Sequence, residues 1–338
     1  MHREYHVSQR TQQVLPSSTL AITARAKKLK SEGRDVISLA AGEPDFDTPD
    51  FIKDACIAAL KDGFTKYTPT SGILELKEAI AAKFSSDNNL EYSPEQIVVS
   101  CGAKHSIFNT LFALVDKGDE VLIPSPYWVS YPEMVRLCEG IPVFLATDAE
   151  NNFKITPEQL EKNINAKTKL LILNSPSNPC GSVYSKEELL GIAEVCVENG
   201  ILVISDEIYE KLVYDNLKHI SLAGLNKEIY NLTITVNGFS KSFSMTGWRL
   251  GYLAAPLEIA RVIAKIQDHT TSNATSFVQK AAVKALQAKD DFIERMRYEF
   301  QQRRDYALSE LSKIEKIKYI LPQGAFYIFC DIHKTGFG

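Results

Sequence analysis

The sequence contains no long apolar run, and this narrows the class of protein it encodes. No stretch approaches the ~18–20 consecutive apolar residues that a membrane-spanning helix needs, so no membrane contact is predicted. Residues 1–16 are polar and lack the apolar core of a secretion signal. Hydrophobic residues make up 45% of the chain and charged residues 24%, values that are typical of a globular protein.

The chain also lacks excess positive charge and paired cysteines. A net charge of −4 gives no electrostatic reason to expect nucleic acid as a partner. The six cysteines form no CxxC pair and no metal-ligand spacing, so no metal site is predicted. Scattered thiols in a chain of 338 residues are typical of a reducing compartment, which predicts a cytoplasmic location. Neither a GxGxxG after a strand nor a GxxxxGK[ST] motif is present, which argues against dinucleotide and P-loop sites.

Strand-like and helix-like patterns alternate through the middle of the chain. Short apolar runs favour strands, and longer periodic stretches between them favour helices. This alternation predicts βαβ units, and hence an α/β fold class with a mostly parallel sheet flanked by helices. The predicted strands are Ile97–Ser100 and residues 120–124, 170–173, 201–205 and 233–236, and the predicted helices include residues 103–115 and Lys186–Asn199.

The pattern changes after residue 256, where helical periodicity dominates. A long charged helix is predicted over residues 291–314, followed by two strands over residues 318–321 and 325–332. One helix and two strands make a small core, so we expect the natural chain to continue past Gly338. The predicted organisation is an N-terminal segment (1–46) that packs with the small domain, a large domain (47–290) and a smaller α+β domain (291–338).

Chemically capable side chains follow the predicted strands. In open parallel sheets, ligands bind beyond the carboxyl ends of the strands, so residues that follow different strands meet at one edge. This edge therefore collects a glycine turn, an aromatic ring, an amide, an acid, a phenol and a lysine. The residues concerned are Gly102, Ala103, Lys104, Trp128, Asn178, Asp206, Tyr209 and Lys241.

Together these groups fit pyridoxal 5′-phosphate (PLP). PLP needs a lysine for a Schiff base and an acid facing its ring nitrogen, together with an aromatic side chain and a phosphate cradle. The helix N-terminus at Gly102 offers free N–H groups to a phosphate, and Arg249 adds a bidentate cation. Simpler roles exist for single residues, since Asp206 could cap a helix and Trp128 or Tyr209 could belong to the core.

Several motifs resemble those of class I aminotransferases, which depend on PLP. Residues 238–251 (Gly-Phe-Ser-Lys-Ser-Phe-Ser-Met-Thr-Gly-Trp-Arg-Leu-Gly) resemble the PLP-lysine signature of that family. Residues 41–49 (Ala-Gly-Glu-Pro-Asp-Phe-Asp-Thr-Pro) resemble its substrate-side motif. The similarity runs from about residue 16 to residue 329 and is closest to the bacterial aspartate aminotransferase branch. Further matches lie at residues 67–72, 126–128, 174–181 and 205–209.

The resemblance implies a role for each matching residue. Lys241 would form the Schiff base and move the proton of the substrate, while Asp206 would pair with the ring nitrogen. Asn178 and Tyr209 would bond the phenolic oxygen of PLP, and Trp128 would stack on its ring. The implied phosphate-binding residues are Gly102, Ala103, Lys104, Arg249 and Tyr67, the last from a second subunit of a homodimer. The implied substrate-binding residues are Gly42, Trp128 and Asn178.

The implied reaction moves an amino group from L-aspartate to 2-oxoglutarate. Transamination of aromatic amino acids and a PLP-dependent β-lyase reaction are alternatives on the same fold, and a PLP-binding effector sensor is a non-enzymatic one. Three features depart from the family. Its α-carboxylate arginine would lie beyond residue 338, Gly238 replaces a serine of some relatives, and Leu15 replaces the lysine of relatives that use prephenate.

Overall fold

The computed structural model describes residues 6–40 and 42–336. Ala41, the first residue of the predicted substrate-side motif, lies outside the described residues, as do Met1 and Gly338. The described chain forms one seven-stranded sheet and one two-stranded sheet. The strands are β1 (Ile97–Ser100), β2 (Glu120–Ser125), β3 (Ile141–Ala146), β4 (Thr168–Asn174), β5 (Leu202–Asp206), β6 (Thr233–Gly238), β7 (Gly251–Ala254), β8 (Lys318–Tyr319) and β9 (Cys330–Asp331).

Local sequence signals set the ends of several helices. The Ser185 hydroxyl accepts from the Glu188 amide at 3.3 Å, while the Glu188 carboxylate accepts from the Ser185 amide at 2.7 Å, forming a capping box. No described helix is both long and apolar enough to cross a membrane. The helices are α1 (Gln9–Gln12), α2 (Ser18–Ser31), α3 (Asp50–Lys61), α4 (Leu74–Asn88), α5 (Ala103–Leu114), α6 (Ser130–Leu137), α7 (Pro157–Asn163), α8 (Lys186–Asn199), α9 (Lys227–Tyr230), α10 (Leu257–Asp268), α11 (Ser276–Gln287) and α12 (Phe292–Leu311).

The large sheet is mostly parallel, as predicted. Its strand order is β1-β7-β6-β5-β4-β2-β3, and only β7 runs antiparallel to its neighbours. Alternate residues of β4 enter different cores: Leu170 and Ile172 join one cluster, and Leu171 and Leu173 join another. Because successive side chains of a strand point to opposite faces, both faces of the sheet are covered. The α/β fold class is thereby confirmed.

Some elements differ from the sequence predictions. Strands β3 and β7 have no counterpart among them. The strand predicted over residues 325–332 is wrong for most of its length, because only Cys330–Asp331 is extended and paired. Ala325 has a φ of 57°, which lies in the left-handed region and is incompatible with a strand at that point.

Helix α12 packs against the segment that follows β5. Met296 and Phe300 join a cluster with Tyr209 and Tyr214, and the Phe46 ring meets the Phe300 ring edge-on at 5.4 Å. These contacts bring the end of the N-terminal segment, α12 and the end of β5 together. The division of the chain into residues 1–46, 47–290 and 291–338 stays a prediction.

A buried arginine fixes the same region. The Arg304 guanidinium donates to both carboxylate oxygens of Asp215, at 2.6 and 2.8 Å, and to the Pro322 carbonyl at 2.9 Å. Only 7% of Arg304 is exposed. A bidentate pair with a backbone bond is geometrically restrictive, so α12 holds the loop 320–327 against the segment after β5.

Candidate functional site

The parallel strands deliver the predicted residues to one edge of the sheet. Strands β1, β2, β4, β5 and β6 run in the same direction, so their carboxyl ends share this edge. Strand β7 runs the other way and therefore begins there. The residue two positions before it, Arg249, thus reaches the same edge as Lys241 and Asp206.

Lys241 lies three residues beyond the end of β6 and is partly buried. Its Nζ donates to the Gly42 carbonyl, and lies 5.7 Å from the centre of the Tyr209 ring and 5.5 Å from that of the Phe326 ring. Burial lowers the pKa of the Lys241 ammonium to about 8, although the carboxylates of Glu43 and Asp206 act in the opposite direction. Near neutral pH this lysine therefore releases its proton more readily than a solvated one.

Asp206 is the last residue of β5 and is 4% exposed. Its Oδ2 accepts a hydrogen bond from the Tyr131 hydroxyl at 2.6 Å, and its Oδ1 accepts one from the Ile208 amide at 3.3 Å. Burial raises the pKa of the carboxyl to about 6, while the two hydrogen bonds favour its ionised form. The result is an acid that is ionised at neutral pH and can pair with a positive charge.

Three polar groups meet beside the lysine. The Tyr209 and Tyr327 hydroxyls are 2.6 Å apart, and Asn178 Nδ2 donates to the Tyr327 hydroxyl at 3.3 Å. The backbone N–H of Asn178 donates to Asn174 Oδ1 at 2.7 Å, which fixes the loop that carries Asn178 to the end of β4. Burial raises the pKa of Tyr209 well above its usual range, so its phenol stays protonated and can donate a hydrogen bond.

The turn between β1 and α5 brings together groups that can bind an anion, and this place is called the anion pocket below. Gly102 has a φ of 96°, and a Cβ placed on it would lie 2.7 Å from Arg249 Nη2. A Cβ on Gly251 would lie 2.3 Å from the Ala103 amide nitrogen. Both glycines are therefore required for the guanidinium and β7 to approach the N-terminus of α5. That N-terminus adds free amide groups and a favourable dipole to the charge of Arg249.

Lys104 and Trp128 extend this pocket. Lys104 Nζ lies 4.7 Å from the centre of the Trp128 ring. Burial, followed by the nearby Arg249 charge, lowers the pKa of Lys104. An anion placed between the two cations would relieve their mutual repulsion. The Trp128 ring also meets the Tyr131 ring edge-on, with centroids 5.3 Å apart.

The structure thus brings together nearly all of the residues predicted from the sequence. Direct contacts connect Gly42 with Lys241 and Asn178 with Tyr209 through Tyr327. Tyr67 is the exception, because its side chain is 90% exposed in the single chain.

Sequence reasoning missed two residues of this site, Tyr131 and Tyr327. Tyr131 lies near the start of α6, three positions after Trp128, and its amide donates to the Trp128 carbonyl at 3.0 Å, so the two residues lie side by side. Its partner Asp206 is 75 residues away, and no local pattern reveals that pairing. Tyr327 lay in a predicted strand, which gave no reason to expect its hydroxyl at the site.

The arrangement combines an amine of lowered pKa, a buried acid, protonated phenols and an anion pocket within one rim. An amine that releases its proton near neutral pH can attack a carbonyl and can later accept a proton from carbon. The acid can stabilise a positive charge, and the anion pocket can anchor a phosphate.

Comparison with known proteins agrees with this chemistry. The sequence model of the family "Aminotransferase class I and II" matches residues 34–335. The "Probable aspartate/prephenate aminotransferase" of Aquifex aeolicus is 52% identical over 327 residues, covering 96% of this chain and 83% of that protein. The aspartate aminotransferase of Bacillus sp. strain YM-2 is 49% identical, covering 98% of this chain and 86% of the relative.

A solved structure extends the comparison to the fold. The aspartate aminotransferase of Thermus thermophilus, solved with maleate, superimposes with a TM-score of 0.94 and is 42% identical. The match covers 97% of this chain and 85% of that one. The family match therefore extends over nearly the whole chain, and the fold is the same. This chain belongs to the class I and II aminotransferase family.

Proposed function

We propose that this aminotransferase uses PLP to move the amino group of L-aspartate to 2-oxoglutarate. The observation that carries the proposal is the placement of Lys241 and Asp206 at one edge of the sheet, beside the anion pocket at Gly102. A lysine of lowered pKa, a buried carboxylate and a phosphate-type pocket are the three protein groups that PLP requires.

The groups present fit PLP on chemical grounds. Its phosphate is an anion, and the pocket offers the α5 N-terminus together with the Lys104 and Arg249 cations. Its ring nitrogen carries a positive charge when protonated, and Asp206 is a buried acid with a pKa of about 6. Its ring needs a flat apolar neighbour, and Trp128 is an aromatic side chain next to the pocket.

When bound, PLP supplies an aldehyde that condenses with amines and a ring that accepts electrons from the substrate Cα. Lys241 Nζ would attach to the cofactor, be displaced by the incoming amine, and then take up the Cα proton. Asp206 would hold the proton on the ring nitrogen by charge pairing. Asn178 and Tyr209 would hydrogen-bond the phenolic oxygen of PLP. The Tyr327 hydroxyl bonds both of these side chains and therefore lies beside them.

The choice of substrate rests on the relatives and on local chemistry. The Thermus enzyme was solved with maleate, and the relatives are named for aspartate, so a dicarboxylic substrate is the natural assignment. Gly42, Trp128 and Asn178 are the proposed substrate-binding residues. A Cβ on Gly42 would lie 2.6 Å from the Tyr327 hydroxyl, so a larger residue there would displace the Tyr327 side chain.

A donor panel tests this function. With 2-oxoglutarate as acceptor, we expect L-aspartate to give the highest kcat/KM among aspartate, tyrosine and cystathionine, with glutamate as the product. The control is Lys241→Ala assayed in the same way. Preferred use of tyrosine would indicate an aromatic aminotransferase, release of pyruvate and ammonia from cystathionine would indicate a β-lyase, and PLP binding without turnover would favour an effector sensor.

We also propose a homodimer in which Tyr67 reaches the phosphate site of the partner subunit. The Tyr67 side chain is 90% exposed, and the exposed side chains of Ile37 (83%) and Leu39 (92%) lie on the N-terminal segment. Helix α2 buries none of its residues within the chain. Exposed apolar side chains of this kind are typical of a surface that another chain covers.

Sedimentation equilibrium checks the dimer. We expect a mass of twice the chain, and we expect Tyr67→Phe to stay dimeric while binding PLP several-fold more weakly, because one phosphate contact is lost. Tyr298→Phe is the control, since Tyr298 is also an exposed tyrosine, with 61% of its surface accessible, and lies on α12. A monomer that binds PLP at full occupancy would contradict the proposal.

A further inference from the structure

One residue in contact with Asp206, Tyr131, has been given no part in the proposed reaction. The Tyr131 hydroxyl donates to Asp206 Oδ2 at 2.6 Å, and the two residues are 2% and 4% exposed. Burial raises the pKa of Tyr131 well above its usual range, so this phenol is a donor throughout the physiological pH range. Because the Tyr131 hydroxyl is buried away from water, its hydrogen-bond partner is the Asp206 carboxylate.

We propose that Tyr131 is a positioning residue for transamination, holding the Asp206 carboxylate ionised and in the orientation that pairs with the cofactor ring nitrogen. This inference rests on the proposed function, because Asp206 has that partner only if PLP binds here. Tyr131 contacts Asp206 and would influence the reaction only through that carboxylate.

The geometry supports this role because the Asp206 carboxylate has few hydrogen-bond partners. Oδ1 accepts only from the Ile208 amide among the described residues, at a weak 3.3 Å, whereas Oδ2 receives the short Tyr131 bond. A hydrogen bond donated to a carboxylate stabilises the charged form and fixes its rotation about the Cβ–Cγ bond. Without Tyr131, a buried acid would keep its proton to higher pH.

The remaining groups near Asp206 do not replace this donor. Glu207, next along the chain, raises the pKa of Asp206 by repulsion, and Lys241 lowers it more weakly than either hydrogen bond does. The titratable groups that face Asp206 are Tyr131 from α6, Glu207 and Tyr209 from the segment after β5, and Lys241 from the loop after β6. Tyr327, from the loop after β8, faces Tyr131 and Tyr209.

Packing is the competing explanation, since the Tyr131 ring meets Trp128 edge-on at 5.3 Å. Tyr131→Phe separates the two roles, because phenylalanine keeps the ring and removes only the hydroxyl. The matched control is Tyr92→Phe, which removes another buried hydroxyl, one bonded to Thr235 Oγ1 at 3.2 Å and outside the site.

The first measurement uses the protein without cofactor. Infrared difference spectra against Asp206→Asn isolate the carbonyl band of the protonated Asp206 carboxyl, and its pH midpoint should lie near 6 in the wild type. We expect Tyr131→Phe to raise this midpoint by about 1 pH unit, the size of one hydrogen bond to a charged group. Tyr92→Phe should leave it unchanged. An unchanged midpoint in Tyr131→Phe would overturn the proposal.

The second measurement is PLP affinity in a double-mutant cycle. Tyr131→Phe should weaken PLP binding about fivefold at pH 6 in the wild-type background, and should have no effect in the Asp206→Asn background. An equal loss in both backgrounds would show that Tyr131 acts by packing and would overturn the proposal. Failure of the wild-type protein to bind PLP is a different result, which would overturn the proposed function itself.

Discussion

Lys241→Ala is expected to abolish the covalent attachment of PLP and to lower kcat for transamination by at least about 10⁴-fold. Two contributions are lost together: the nucleophile that holds the cofactor and the base that moves the Cα proton. Positioned proton transfer alone contributes about 10²–10⁴-fold. The measurements are borohydride trapping of PLP followed by peptide mapping, and the rate of the aspartate half-reaction.

Two control variants make the result specific to the Lys241 amine. Lys241→Arg keeps the positive charge but stays protonated, because guanidinium does not lose its proton in proteins, and it should also fail to trap PLP. Lys313→Ala removes an exposed lysine that pairs with Glu310 on the surface, and should trap PLP normally. A Lys241→Ala protein that still traps one PLP at a single peptide would contradict the assignment.

The pKa of Lys241 adds a pH dependence to the same experiment. Burial lowers this pKa to about 8, and attack on the aldehyde requires the neutral amine. The neutral fraction of the Lys241 amine falls as pH decreases below about 8, and it approaches one as pH rises above this value. The rate of covalent capture by the protein without cofactor should therefore rise with pH and level off above about 8, instead of continuing to rise toward pH 10.5 as for a solvated lysine.

The site was largely predictable because its residues follow a rule of sheet topology. Once the parallel strands were placed, their carboxyl ends located Asp206 and Lys241 without any knowledge of side-chain contacts. Asp206 is the last residue of β5 and Lys241 follows β6 by three positions. The position of Arg249 depends on the antiparallel β7, which the periodicity did not predict, so sheet topology gave no reason to place it at this edge.

The parts that escaped prediction depend on contacts between distant segments. The Tyr209 and Tyr327 hydroxyls are 118 residues apart in sequence and 2.6 Å apart in space. The left-handed backbone at Ala325, which breaks the predicted strand, coincides with a hydrogen bond from the Tyr214 hydroxyl to the Ala325 carbonyl. Tertiary contacts of this kind override a local preference for extended structure, and the sequence carries no periodic signal for them.

Asp206→Asn is expected to leave PLP bound while lowering the rate of Cα proton removal by about 10- to 100-fold or more. Asparagine has nearly the same shape, so Tyr131 can still donate to its side-chain oxygen. It has no negative charge, however, and a hydrogen bond to a charged group contributes about 1.5–3 kcal/mol. Each 1.36 kcal/mol corresponds to about a factor of ten in rate. The measurement is the single-turnover half-reaction with L-aspartate deuterated at Cα, in which an isotope effect identifies proton removal as the slowed step.

The pH dependence of PLP affinity separates the Asp206 charge from its shape. Burial raises the folded-state pKa of Asp206 to about 6, so the carboxylate is charged above this pH and protonated below it. The wild-type advantage in PLP affinity over Asp206→Asn should therefore be full above pH 6 and shrink as pH falls below it. Glu210→Gln is the matched control, because it neutralises another buried acid, one that pairs with the Lys83 ammonium and has no contact with Asp206. That variant should lose stability, seen in its Tm, yet keep the wild-type pH dependence. A near-normal half-reaction rate in Asp206→Asn would show that the ring nitrogen does not depend on this carboxylate.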